Sequence, residues 1–263
     1  MTRDKVFLVG PAIKTEFWLE FYQSASNSKN CDIEIIFVGH NLPDFNLPEN
    51  FHFIYSNKTP TECAILAYEK AYRLGKESDF VQNTADDVLY SENHFDRLIS
   101  AYREQEEKYG KEELIMCGPA SYNGDEQNIM ALFPHAEHWD QRTRDAAIQR
   151  AGGTEKDLGS RLEGPSLPTG NFSTIKTSKA LGGINTTFQA LYWDCDQAMV
   201  CHSMGGKVVI FGKEKVEAVK ERKYSKSRLY SIHGHRDYDH LCSIWDVRSH
   251  DGETWTVIRK EKN

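Results

Sequence analysis

The apolar positions of the first hundred residues fall into two alternating periods. Lys5-Val6-Phe7-Leu8-Val9 and Ile33-Glu34-Ile35-Ile36-Phe37-Val38 are short, nearly unbroken apolar runs, the mark of strands buried on both faces. Gly10-Pro11 ends the first and Gly39-His40-Asn41 the second. Phe51-His52-Phe53-Ile54-Tyr55 predicts a third strand, after a loop at Asn46–Asn50, and Phe80-Val81 a fourth. Between the strands the period lengthens. Thr15 opens a helix with Phe17, Trp18, Phe21 and Tyr22 on one side. Thr59-Pro60-Thr61-Glu62 is a helix start, with Thr59 as cap, Pro60 in the first helical position and Glu62 completing a capping box. Cys63, Ala64, Ala67, Ala71 and Leu74 follow, and the alanines allow close approach to a sheet. Ser91 is placed to cap a further helix whose Phe95, Leu98, Ile99 and Tyr102 are spaced i, i+3, i+4, i+7. This alternation predicts a parallel α/β sheet with right-handed crossovers.

The second half is less regular. Leu114-Ile115-Met116-Cys117 predicts a strand closed by Gly118-Pro119. Glu137–Arg150 reads as a helix stopped by Gly152-Gly153, and Thr154–Ser166 as a loop or flap. Asn171–Ile175 reads as a strand, and Leu181-Gly182-Gly183-Ile184-Asn185 as a turn. The aromatic run Phe188, Leu191, Tyr192, Trp193 leads into Asp194-Cys195-Asp196, a helix over Gln197–Met204 and a strand at Lys207–Ile210. Lys213–Lys226 is expected to be a solvated helix or connector. A His/Asp-rich stretch, Ser231–His240, precedes a final strand at Thr254–Ile258.

Composition narrows the classes. The chain has 263 residues, 39% hydrophobic and 27% charged, ample for a sizeable core. A net charge of -7 argues against a nucleic-acid partner. No apolar run approaches the roughly 18–20 residues that cross a bilayer, so no transmembrane segment is expected. The six cysteines are widely spaced with no CxxC pair, and with no signal-peptide pattern at the start they predict reduced thiols in a cytoplasmic protein.

The candidate chemistry begins at Asp86 and Asp87. They lie just past a strand end and just before a helix, where open α/β sheets bind ligands. Two carboxylates there offer hard oxygen ligands suited to Mg²⁺ or Mn²⁺ on the phosphates of a nucleotide. A solvated turn is the alternative.

In order and spacing, these features resemble GT-A type glycosyltransferases, the nucleotide-sugar-dependent sugar transferases. Val6-Phe7-Leu8-Val9-Gly10-Pro11 resembles the family's first strand and its proline. Glu34-Ile35-Ile36-Phe37-Val38-Gly39 resembles its second strand, and Asn83-Thr84-Ala85-Asp86-Asp87 stands in the place of its DxD-type metal motif. Leu181-Gly182-Gly183-Ile184-Asn185 is similar to the glycine turn before the acceptor-side helix. Tyr192-Trp193-Asp194-Cys195-Asp196 is similar to the stretch that carries the catalytic base of inverting members. Three positions depart from the pattern. Gly39 stands where the second strand usually ends in a base-binding Asp, and Ala85 where many members have a first acid. Met199-Val200-Cys201 replaces the Arg of many processive relatives, which argues against a membrane polysaccharide synthase.

The resemblance implies a Rossmann-like, mostly parallel central sheet with helices on both faces, in one domain. Residues 1–110 would be the nucleotide-sugar half, and residues 111–263 the acceptor side with a flap and a C-terminal extension. It implies an inverting, metal-dependent transfer from a nucleoside diphosphate sugar to a hydroxyl of a glycan, lipid-linked or protein acceptor, with Mn²⁺ or Mg²⁺. Asp87 would be the direct metal ligand and Asp86 the contact to ribose or to a metal-bound water, with Pro11 and Gly39 lining the nucleotide-sugar site. Lys58 is placed to meet a phosphate or ribose, or is a plain surface lysine. Asp194, following an aromatic run that would desolvate it, is the expected general base, or the N-cap of the helix behind it; the two roles are compatible. Asp196 is the second candidate base, expected to face solvent. His233 and His235, at i and i+2, would share one face of a strand, and one of these or His240 would complete the metal shell; a surface cluster is the alternative. His202 reads as packing. Trp193 and Trp139 are candidates for stacking on a sugar, or core residues, and Asn171 for an acceptor hydroxyl. A nucleotidyltransferase is one rival, although Gly10–Lys14 is a poor version of its phosphate loop. A non-catalytic nucleotide- or sugar-binding protein of the same fold is the other.

Overall fold

The structure is a computed structural model that describes residues 3–122, 170–218, 228–249 and 255–260. The helix expected at Glu137–Arg150, the flap at Thr154–Ser166 and Trp139 lie outside the described residues.

Eight strands form one sheet in the order β3-β2-β1-β4-β7-β6-β8-β5. They are β1 (Asp4–Pro11), β2 (Cys31–Gly39), β3 (Phe51–Tyr55), β4 (Phe80–Asn83), β5 (Val88–Tyr90), β6 (Ile115–Tyr122), β7 (Phe172–Thr174) and β8 (Lys207–Ala218). The first four run parallel, as the strand–helix alternation predicts. The short β7 lies antiparallel between β4 and β6, and β8 returns parallel to β6. A separate antiparallel pair joins β9 (Trp245–Ser249) to β10 (Trp255–Arg259).

Helices cover both faces. Successive side chains of a strand point to opposite faces, so one unbroken apolar run serves two cores. Val6 and Leu8 pack with Trp18 and Phe21 of α1 (Trp18–Ala25) and with Phe95, Leu98, Ile99 and Tyr102 of α3 (His94–Tyr109). Phe7 and Val9 pack on the other face, with Ala64, Ala67 and Ala71 of α2 (Pro60–Leu74) and Ile175, which opens α4 (Ile175–Ala180). The same core takes in Ala198 and Met199 of α5 (Trp193–Ser203) and Leu241 of α6 (Arg228–Ile244). The capping box of α2 forms as expected, with Thr59 Oγ1 accepting from the Glu62 amide and Glu62 accepting from the Thr59 amide. No helix of the described residues is long and apolar enough to cross a membrane. All six cysteines are free thiols.

Four expectations change. Ser91 does not cap α3: the residues before it form β5, and the helix starts from Asn93, whose φ of 55° supplies the turn. The strand expected to close at Gly118-Pro119 runs on to Tyr122 beside β8. Lys213–Ala218, expected in a solvated helix or connector, continues β8, because that edge is paired on both sides, with β6 and β5. The His/Asp-rich stretch is helix α6 rather than a strand. The i, i+2 spacing of His233 and His235 is therefore helical spacing, not that of a strand.

Candidate functional site

The chain builds β2 and β3 on one side of β1, then places β4 on the other. That reversal opens a crevice outside the carboxyl ends of β1 and β4, where ligands bind in sheets of this kind. The loops meeting there are Pro11–Lys14 and Thr84–Asp87. Both are held close by glycine. A Cβ on Gly10 would overlap the Thr84 carbonyl, and one on Gly39 the Ala12 carbonyl. Gly39 is thus the position where the first loop crosses β2, and no side chain there can reach a nucleotide base.

Asp86 is buried, at 5% exposure, and faces inward. Its Oδ2 accepts from the amides of Ile13 at 2.7 Å and Lys14 at 2.6 Å, and from Trp18 Nε1 at 3.3 Å. Burial raises its pKa, the two amides oppose that, and the charge of Asp87 adds to it. The carboxylate fixes the loop after β1. Asp87 is partly exposed and pairs with the ammonium of Lys14. Pro11 ends β1 at the same rim. Lys58, exposed ahead of α2, has its amide on Ser56 Oγ and its ammonium 4.0 Å from Glu62.

The other wall is a polar network. Asn83, at the end of β4, lies between two partners. Its Oδ1 accepts from the Asn171 amide, and its Nδ2 donates to Asp194 Oδ2 at 3.4 Å. Asn171 Nδ2 donates to the Asp194 carbonyl at 2.7 Å and to Gln197 Oε1 at 3.1 Å. Asp194 is in the first turn of α5, not at its N-cap, which is Tyr192 at a φ of 64°. Its Oδ1 accepts from the Cys195 amide at 2.9 Å. Burial pushes its pKa up, partly offset by the Cys195 and Asn83 donors. Asn171 is buried, so the expected contact to an acceptor is replaced by a contact that orients α5.

Asp196 does not face solvent. It is buried, accepts from Trp245 Nε1 at 2.7 Å and ties α5 to the start of β9. Trp193 is a core residue, edge-on to Tyr68. His240 lies against Phe188 and meets Thr187 Oγ1 at 2.6 Å. Among the described residues no three His, Cys, Asp or Glu side chains gather as a ligand set. The donor set that remains, the partly exposed Asp87 carboxylate just past the end of β4, would suit a Mg²⁺ or Mn²⁺ that took its other ligands from phosphate oxygens and water.

Gln197 and Asp237 carry no site signal in the sequence, Asn83 stands there only as the first residue of the acidic stretch, and Lys14 only as part of a poor phosphate loop. Asp237 is buried on α6 and accepts from the amides of Gln189, Ala190 and Leu191. The pairing of Lys14 with Asp87 had a signal: a cation three residues past the first strand, and an acidic loop past the fourth. A groove of about 410 Å³ at the opposite end of β1 and β2 does not compete as a site, because its charges pair with one another, Arg3 with Asp32 and Lys5 with Glu34.

No protein-family model matches the chain. No curated protein matches it. Solved structures do. The mannosyltransferase PcManGT from Pyrobaculum calidifontis, in complex with GDP-Man and Mn²⁺, is 14% identical, with a TM-score of 0.54 over 92% of this chain and 65% of that one. TarS of S. aureus, residues 1–349, is 11% identical, with a TM-score of 0.50 over 82% of this chain and 60% of that one. A longer TarS chain is 11% identical, with a TM-score of 0.51 over 88% of this chain and 38% of that one. The chain thus spans about two thirds or less of the length of these structures. Their likeness, with the crevice between β1 and β4, gives the chain the fold of the GT-A type glycosyltransferases.

Proposed function

We propose that the protein is an inverting, metal-dependent glycosyltransferase that moves a sugar from a nucleoside diphosphate sugar to an acceptor hydroxyl. The observation that carries this reading is the Asp194 carboxylate, desolvated and held by Asn83 at the end of β4, the strand that leads into Asp86 and Asp87. A desolvated carboxylate is a stronger base than an ordinary one. As the acceptor oxygen bonds to the anomeric carbon, the bond from that carbon to the diphosphate breaks and the hydroxyl proton passes to Asp194. Attack from the face opposite the leaving group inverts the centre. Asp87 would hold a Mg²⁺ or Mn²⁺ that neutralises charge on the departing diphosphate. Asp86 acts through the loop it fixes, and Asn83 and Asn171 keep Asp194 aimed. The GDP-Man and Mn²⁺ of PcManGT support the donor class and the divalent ion.

The test is the Asp87→Ala variant, assayed beside the native protein in EDTA with a panel of nucleotide sugars. Transfer should drop by about 10²-fold or more in both, the range for losing one electrostatic stabiliser. Undiminished transfer in either would refute the metal-dependent mechanism. One observation, the Lys14 ammonium after the first strand, favours a nucleotidyltransferase instead; release of pyrophosphate rather than nucleoside diphosphate would establish that rival.

A further inference from the structure

The ion pair between Lys14 and Asp87 joins the loops that follow β1 and β4. Lys14 is anchored at its backbone: its amide and that of Ile13 are held by Asp86, so the root of the side chain is fixed beside Asp87. Its ammonium sits on Asp87 Oδ2, with both side chains about three-quarters shielded, at 22% and 24% exposure. Among the described residues, the cation on the carboxylate expected to bind metal is therefore this lysine. An ammonium on Asp87 Oδ2 neutralises that carboxylate and repels a second cation approaching it, so a divalent ion binds there less tightly while the pair is intact. A diphosphate changes that balance. It brings several negative charges, and an ammonium on a flexible four-carbon stem can turn to them while its root stays fixed.

We infer that Lys14 is an exchangeable counter-ion: it neutralises Asp87 while the crevice is empty of diphosphate, moves to the diphosphate when the nucleotide binds, and so lets Asp87 accept a divalent cation only after the nucleotide. The inference rests on the metal-dependent reading above and deepens it by setting an order of binding. Lys14 is here a ligand of the leaving diphosphate as well as the occupant of Asp87. No bond is made or broken in the exchange.

Binding rather than turnover tests it. Mn²⁺ binding to the full chain is followed by the electron paramagnetic resonance of the free ion, without nucleotide and with UDP or GDP. Native protein, Lys14→Gln, Lys14→Met and Asp87→Asn are compared, and nucleotide affinity is measured separately in EDTA. Native protein without nucleotide should bind Mn²⁺ no more tightly than about 1 mM, a few kcal/mol of affinity. Both Lys14 variants should bind it at least about tenfold more tightly and should bind UDP or GDP in EDTA at least about tenfold more weakly. Tight Mn²⁺ binding at Asp87 in native protein without nucleotide overturns the exchange whether or not the variants fold. So does a folded Lys14 variant whose nucleotide-free Mn²⁺ affinity is unchanged. If Asp87→Asn alone abolishes nucleotide-dependent Mn²⁺ binding in that case, the metal-dependent reading survives and only the lysine's role falls. If no form binds Mn²⁺ even with nucleotide, both fall together.

Discussion

Asp194 combines a catalytic demand with a stability penalty. Its folded pKa is raised by desolvation, so the folded chain holds that proton more tightly than the unfolded chain does. The contribution to stability is therefore complete below the unfolded pKa and is lost as pH rises through the folded value. Catalysis needs the opposite form, the ionised base. We expect the acid limb of the rate profile to lie above the usual carboxylate range, with the rate rising through it to a plateau. Asp194→Asn should lower transfer by about 10²–10⁴-fold, the worth of a general base. The variant should leave nucleotide affinity unchanged and gain roughly 1 kcal/mol near neutral pH. That gain should vanish below about pH 4, where the native carboxyl is also neutral. A rate–pH profile beside thermal melts at two pH values checks both halves; a variant that is less stable at neutral pH contradicts the desolvated placement.

At the scale of the element, the crossing of the first loop over β2 explains why Gly39 departs from the family pattern. Gly39→Asp places the usual base-binding acid, yet its Cβ meets the Ala12 carbonyl. The backbone must shift, at about 1–3 kcal/mol, and the shift bears on the loop that carries Lys14. We expect Gly39→Asp to lower the urea midpoint and weaken nucleotide binding; a gain in nucleotide affinity would show that the loop yields easily. The strands β1 and β2 were legible because both faces are largely buried and their apolar runs are nearly continuous. α2 was legible because its capping box is local, contained within Thr59–Glu62. α6 was not. Its first turns are polar, and what holds it lies far along the chain: Asp237 on the amides of Gln189–Leu191, and Leu241 in the core. Asp196 was misread for the same reason, since the indole it meets is 49 residues away. The candidate base and the acidic pair were visible in sequence, whereas the side-chain amides on Asp194, from Asn83 and Asn171, lie at the ends of β4 and β7, whose pairing only the sheet order reveals.

Across the whole molecule, α6 reaches the site through the loop before α5. Asp237 holds the amides of Gln189, Ala190 and Leu191, and the Gln189 carbonyl accepts from the Thr61 amide at the start of α2. Asp237→Ala leaves three amides without their carboxylate and should reduce stability by about 3 kcal/mol or more, the scale of charge-assisted bonds. It should also lower kcat more than it raises KM, because α5 carries Asp194. An unaltered urea midpoint with unaltered kcat would show that the loop is held by other contacts.

The place of β7 bears on how the chain is made. Its three residues fill the gap between β4 and β6, pairing with Phe80, Val81 and Gln82. During synthesis those backbone groups emerge long before Phe172–Thr174 exist to meet them, and an open strand edge invites a neighbouring chain. The nascent chain must carry an unfinished sheet from the synthesis of β4 until that of β7, so the strands that come first cannot complete their architecture ahead of those that follow.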